Sequence, residues 1–108
     1  MKRCTTPTIT IKLKSIDTSF IDKILITYTQ NDKIMFQKRK DDVTMKNNTI
    51  CFELTEEETR SLQPTIPTDK STLLSMDIKC KIKTGKVIAS DVYKDIVEDV
   101  LSDEVMNE

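Results

Sequence analysis

The sequence predicts an all-β domain built from two packed sheets, and three observations carry that prediction. Threonine (15), isoleucine (13) and valine (6) abound, while alanine occurs once, at Ala89. β-Branched residues suit a pleated, half-buried surface, and scarce alanine removes the strongest helix former. Between Leu74 and Ile82 apolar residues recur at every second position, with Asp77, Lys79 and Lys81 among the residues between them. A strand with one dry and one wet face requires this pattern, because successive side chains leave a sheet on opposite sides. The alternation then meets Gly85, the single glycine, and an apolar run resumes at Val87, which marks a β-hairpin turning at Thr84-Gly85.

Residues 1–6 are polar and read as a flexible arm, either mobile or used in a contact. Pro7 introduces TITIKLK, in which Ile9, Ile11 and Leu13 alternate with Thr10, Lys12 and Lys14. This is a first strand, placed at a sheet edge because proline has no N–H to give a ladder. Residues 15–22 hold Ile16, Phe20 and Ile21 among turn formers and read as a link that still buries something. Residues 23–30 form a second strand with Ile24, Ile26 and Tyr28 on one face and Leu25 and Thr27 on the other. Asn31-Asp32 supplies a turn, since both residue types tolerate left-handed backbone. The third strand is KIMFQK, with Ile34 and Phe36 inward. Residues 38–42 read as a charged loop, residues 43–46 as a short edge strand, and Asn47-Asn48 as a turn. TICFEL follows as a strand with Ile50, Phe52 and Leu54 inward and Cys51 on the opposite face.

Thr55 and Glu58 have capping-box spacing, and the acids of the TEEE run complement the dipole of a helical turn. Pro64 and Pro67 keep that turn short, near residues 56–62, with Leu62 as its core anchor. Residues 63–72 are a loop, and the hairpin at Gly85 comes next. Beyond Ala89 two readings compete. Val92, Ile96, Val97, Val100 and Leu101 have helical spacing behind Ser90, whereas Val92, Ile96 and Val100, separated by Lys94 and Glu98, also fit a strand. A strand to about Val97 is preferred, because it closes the sheet after the hairpin. The sum is about seven short strands, turn signals roughly every eight to twelve residues and one helical turn, the pattern of an immunoglobulin-like two-sheet β-sandwich. It occupies residues 1–108 as a single domain, with 98–108 as an acidic tail.

The chemistry is far less legible than the fold. The chain has neither histidine nor tryptophan, so it lacks the one side chain that titrates near neutrality and the commonest metal ligand. One glycine cannot build a phosphate-binding loop, and the hydroxyls have no histidine to activate them. The expectation is no enzyme, no catalytic residue, no metal and no cofactor. Cys4, Cys51 and Cys80 are odd in number and widely spaced, which reads as reduced thiols rather than a disulfide framework. No apolar run is long enough for a signal peptide or a membrane span. Residues 1–90 carry 16 basic and 11 acidic side chains, whereas residues 91–108 carry one and 7. A mildly basic body thus bears an acidic tail, which suits self-complementarity or a basic partner, although a simply solvated end is the favoured reading.

Lys79, Lys81 and Lys83, with Lys86 past the turn, are the candidate interaction surface, with Tyr93 as a possible anchor. Lysines at alternate positions project from one sheet face and could follow a phosphate backbone. Aromatic residues make up only 5% of the chain, however, so stacking platforms for bases are scarce. Alternating lysines also deter exposed strands from pairing, and a solvated face is the favoured reading.

The ordered phrases RCTTPT, ILITYTQNDK, TICFELTEEET and the last hairpin ending in VIAS resemble, over nearly the whole chain, a family of small proteins encoded among structural genes of phages and prophages of gut Firmicutes. That family is similar to the immunoglobulin-like N-terminal domain of phage baseplate upper proteins, where the domain attaches a longer receptor-binding module to the virion. This sequence ends at Glu108 without a fibre or carbohydrate-binding segment, so the resemblance implies an adaptor or decoration role in the tail, baseplate or head–tail region. It implies other phage structural proteins as partners, with homo-oligomers allowed, no membrane, and a location in the virion or in the host cytoplasm during assembly. Nucleic acid is the disfavoured partner; a small nucleic-acid-binding accessory protein using the lysine face is the alternative.

Overall fold

In a computed structural model describing residues 1–14, 16–90 and 92–99, eight strands follow in chain order. They are β1 (Thr8–Lys12), β2 (Ile21–Gln30), β3 (Lys33–Arg39), β4 (Thr44–Lys46), β5 (Thr49–Glu53), β6 (Leu74–Ile82), β7 (Val87–Ala89) and β8 (Tyr93–Asp95), with the helical turn α1 (Glu56–Arg60) between β5 and β6. One antiparallel sheet has the order β1-β5-β4 and the other β3-β2-β6-β7, with β8 also paired to β6. Since β2 occupies one flank of β6 from Ser75 to Ile82, β7 and β8 share its other flank. β7 lies beside residues 79–81 and β8 beside residues 74–76. The second sheet is therefore four positions wide, and the first only three. This is the all-β, two-sheet sandwich that the alternation predicts.

The inward faces meet as expected. Ile24, Ile26 and Tyr28 of β2, Ile50 and Phe52 of β5, and Leu74, Ile78 and Cys80 of β6 are buried together with Leu54 and Leu62. Burying each aliphatic side chain fully contributes about 1.5–3 kcal/mol. The Tyr28 and Phe36 rings lie 4.8 Å apart and tilted. Asn31 and Asp32 take φ of 55° and 60°, which makes the β2–β3 turn possible. At the last hairpin, the Gly85 N–H donates to the Ile82 carbonyl and the Ile82 N–H to the Lys86 carbonyl, so the loop comprises Lys83, Thr84 and Gly85, with Gly85 at φ 91°. Thr55 and Glu58 form the predicted capping box: the Glu58 N–H donates to the Thr55 hydroxyl and the Thr55 N–H to the Glu58 carboxylate.

Several expectations are corrected. Ile34 does not face inward but is 63% exposed. The β2–β3 register shifts so that Tyr28 faces Phe36 while Thr29 faces Ile34. Met35 is the extra residue of that bulge, and it reverses the phase of everything before it. Where the link meets β2, Ile21 is buried, whereas Phe20 ends a short helical turn in the open. Lys38, placed both at the end of the third strand and at the start of the charged loop, belongs to the strand: β3 continues through it, and the ammonium of this residue, only 8% exposed, meets the Glu58 carboxylate at 2.7 Å. The last strand is shorter than expected and leaves Val92 and Ile96 exposed, while Val97 is buried. Val100 and Leu101 lie outside the described residues.

Residues 1–6, expected as a flexible arm, are strapped to the body. Lys2 bridges Glu98 in parallel. The Glu98 N–H donates to the Met1 carbonyl and the Arg3 N–H to the Glu98 carbonyl. The Arg3 guanidinium donates to the Leu62 and Arg60 carbonyls at 2.7 and 3.0 Å, satisfying acceptors at the end of α1, and pairs with Asp99 at 2.7 Å. The Thr59 hydroxyl, fully buried, donates to the Thr5 carbonyl and accepts from the Thr5 N–H.

Candidate interaction surface

Lys79 and Lys81 project from the outer face of the wider sheet, opposite the core. Strand pairing adds two cations that their place in the chain conceals. Lys81 lies opposite Lys23, Lys79 opposite Leu25, and Leu25 opposite Arg39. Lys23, Arg39, Lys79 and Lys81 with Leu25 and Val87 line a shallow hollow of about 200 Å³. None of these four cations has an ion-pair partner among the described residues. Like charges directly opposite on neighbouring strands are destabilising, so the Lys23–Lys81 pairing is a place where packing alone would prefer another residue. Only a strand register could have revealed Lys23 and Arg39 as members of this group.

The five predicted surface residues do not form one site. Lys83 belongs to the hairpin loop and Lys86 follows it, both exposed at the tip of the wider sheet. Tyr93 pairs with Met76, so it faces the inner side of the sheet, away from Lys79 and Lys81. It is 53% exposed because nothing from the narrower sheet covers it.

That side of the sandwich is open. Two adjoining hollows, of about 450 and 360 Å³, run between β1 and the flank formed by β7 and β8. Ile11 and Tyr93 line both; Ile9 and Met76 line the first, and Leu13 and Ile88 the second. Both flanking strands present backbone that is unpaired among the described residues. The Leu54 N–H donates to the Pro7 carbonyl and the Leu13 N–H to the Asn48 carbonyl. This fixes the phase of β1, so that Thr8, Thr10 and Lys12 turn their N–H and C=O groups outward. In β7 the Ser90 N–H donates to the Ile78 carbonyl and Lys86 accepts from Ile82; Val87 and Ala89 therefore point theirs outward. Exposed apolar side chains accompany this flank: Val87 and Val92 at 56%, Tyr93, and Ile96 at 50%.

The titratable groups inside are quiet chemically. Burial pushes the Cys80 thiol up, away from the thiolate form. Burial, reinforced by the charges of Asp95 and Glu58, raises the Tyr28 hydroxyl well above its ordinary value. The three cysteines are free, with Cys51 and Cys80 on opposite faces of their sheets as expected. Among the described residues no group of three or more histidine, cysteine, aspartate or glutamate side chains gathers to hold a metal, and no helix is long and apolar enough to cross a membrane. No family model, curated protein or solved structure matches the sequence.

Proposed function

We propose that this protein is a non-enzymatic structural or assembly component of a phage or prophage particle, in the tail, baseplate or head–tail region, acting through protein–protein contacts at its sheet edges. The particle assignment rests on the ordered phrases of the sequence. The observation that carries the contact mechanism is the flank of β7 and β8, where the outward backbone of Val87 and Ala89 coincides with exposed Val87, Val92, Tyr93 and Ile96. An unpaired edge beside exposed apolar side chains is a template for another chain. The test is mass spectrometry on particles purified after prophage induction in the source strain. The polypeptide is expected in the particle fraction; its presence in the lysate and absence from every particle and assembly intermediate would refute the assignment.

A second reading is favoured by the four clustered cations Lys23, Arg39, Lys79 and Lys81: a nucleic-acid-binding accessory protein that holds phosphates on its outer face. It predicts DNA or RNA binding that weakens with salt and is lost on changing Lys79 and Lys81 to glutamate. Absence of binding at low salt would remove it.

A further inference from the structure

We infer that the open side between β1 and the β7–β8 flank is an acceptor site for one extended segment of a partner protein, whose alternate residues are apolar and whose intervening residues are acidic. Three features on different elements converge on this occupant, and none depends on the particle assignment.

The first is a strand position beside β1 that no described residue fills. Three positions of the narrower sheet face four of the wider one, and β1 is the last of the three. Strands in a sheet are about 4.8 Å apart and stacked sheets about 10 Å. A strand added beside β1 would thus lie above the inner face of β7 and β8, where Tyr93 is exposed and Ile88 only half-buried. The second is backbone. Thr8, Thr10 and Lys12 hold their N–H and C=O groups toward that vacant position, enough for a ladder along β1. Side chains of an added strand alternate between faces. Those pointing inward enter the two hollows lined by Ile9, Ile11, Met76 and Tyr93, which demands apolar residues there.

The third feature sets the charge. Side chains pointing outward on the added strand would stand beside Thr8, Thr10, Lys12 and Lys14, all exposed on the outer face. Lys46 lies in the same row, since both it and Lys12 pair with Thr49. Lys12, Lys14 and Lys46 have no ion-pair partner among the described residues. Acidic residues at the outward positions give cross-strand pairs of opposite charge, whereas lysine there would repel. A second copy of the chain adding its own β1 would bring Lys12 and Lys14 without any acid in that strand, so the complementarity disfavours pairing of two β1 edges.

The test uses the full 108-residue chain and a capped synthetic peptide of alternating valine and glutamate, about seven residues long to span β1. Two controls replace glutamate by lysine or valine by glycine. Titration followed by amide NMR is expected to show saturable binding of the valine–glutamate peptide alone, with slowed hydrogen exchange at Thr8, Thr10 and Lys12. Thr10→Pro removes one outward N–H and no inward backbone hydrogen bond, only the long 3.8 Å contact of the Thr10 hydroxyl to the Cys51 sulfur, so its melting temperature should stay close to the parent's while affinity falls about tenfold or more. Lys12→Glu, an exposed change, should weaken binding in the same way and restore it for the valine–lysine peptide. No saturable binding at about 1 mM peptide would overturn the inference. Unchanged affinity in both variants would do so too, as would a concentration-dependent dimer of the parent that Thr10→Pro abolishes.

Discussion

Gln30→Leu should destabilise the fold by detaching the crossing between α1 and β6 from the wider sheet. Gln30 is only 2% exposed at the end of β2. Its amide nitrogen donates to the Gln63 and Thr72 carbonyls at 2.6 and 2.8 Å, and its amide oxygen accepts from the Gln63 N–H at 2.8 Å. One side chain thus ties both ends of residues 63–72 in place. Leucine fills a similar volume but strands the Gln63 N–H and C=O, while the Thr72 carbonyl keeps a longer 3.3 Å bond from the Thr65 hydroxyl. A stranded buried group costs about 1–3 kcal/mol. Because Gln63 is itself exposed, water can reach part of the damage, which places the loss near 2–3 kcal/mol. For a domain of this size that lowers the melting temperature by about 10–20 °C.

Far-UV circular dichroism against urea and temperature measures the change, and native-state hydrogen exchange at the Gln63 amide localises it. Gln30→Glu is the informative companion. At neutral pH it keeps the acceptor but turns a carboxylate toward two carbonyls, so it should be less stable than Gln30→Leu. Burial raises the folded pKa of such a carboxyl, so stability relative to the leucine variant should be gained as pH falls and the group protonates. If Gln30→Leu stays within about 0.5 kcal/mol of the parent, with the Gln63 amide still protected, the side chain does not hold the loop.

Three further changes test other parts of the reasoning. Lys81→Glu replaces a repulsive Lys23–Lys81 pair by an attractive one and should raise stability by about 0.2–1 kcal/mol at low salt, with the gain shrinking in concentrated salt; a loss at low salt would contradict the charge argument. Tyr28→Phe should flatten the alkaline limb of stability. The folded hydroxyl is held protonated by burial and by Asp95 and Glu58, while the unfolded chain ionises near about pH 10, so the folded state binds the extra proton and parent stability falls as pH rises beyond that point; equal losses for parent and variant between about pH 9.5 and 11 would refute this. Gly85→Ala adds a Cβ that meets nothing within 4 Å but forces alanine to φ 91°; melting temperature should drop by the equivalent of about 1–2 kcal/mol, and Gly85→Asn should lose less.

Where one face of a strand is dry, the amino-acid order spells its phase. Ile24, Ile26 and Tyr28, then Ile50 and Phe52, then Leu74, Ile78 and Cys80 are legible for this reason, and so is the capping box at Thr55 and Glu58. The same phase puts Gln30 after Tyr28 and Lys38 after Phe36 on the inner face, although the polarity of both side chains argues for solvent. What holds each of them inside is a partner distant in sequence, a loop carbonyl for Gln30 and Glu58 for Lys38. Ile34 departs from expectation for another reason. The bulge at Met35 adds one residue to β3, and no local signal betrays it. The candidate site is least legible, because Lys23 and Arg39 reach Lys79 and Lys81 only through pairings between strands tens of residues apart.

The open side of the sandwich follows from the course of residues 1–7. Pro7 gives the β1–β5 ladder only its carbonyl, which accepts from the Leu54 N–H, and has no N–H to add, and Cys4, at φ 60°, turns the chain away from the direction of β1. Residues 1–3 therefore run beside Glu98 and across the end of α1 instead of lengthening the narrower sheet. The bonds of that strap cover the far end of the β8 side, where Met1 reaches the Ile96 carbonyl at 2.8 Å, but they stop short of Tyr93 and Ile88. Hydrophobic burial favours covering Tyr93 and the exposed part of the half-buried Ile88, and nothing in the described chain does so. A strand supplied from outside satisfies the backbone of Thr8, Thr10 and Lys12 and the exposed apolar surface in a single step, whereas closure by side-chain movement would leave the backbone groups unpaired. The two requirements are coupled by geometry, so a substitution that spoils the β1 edge should weaken apolar contact at Tyr93 as well.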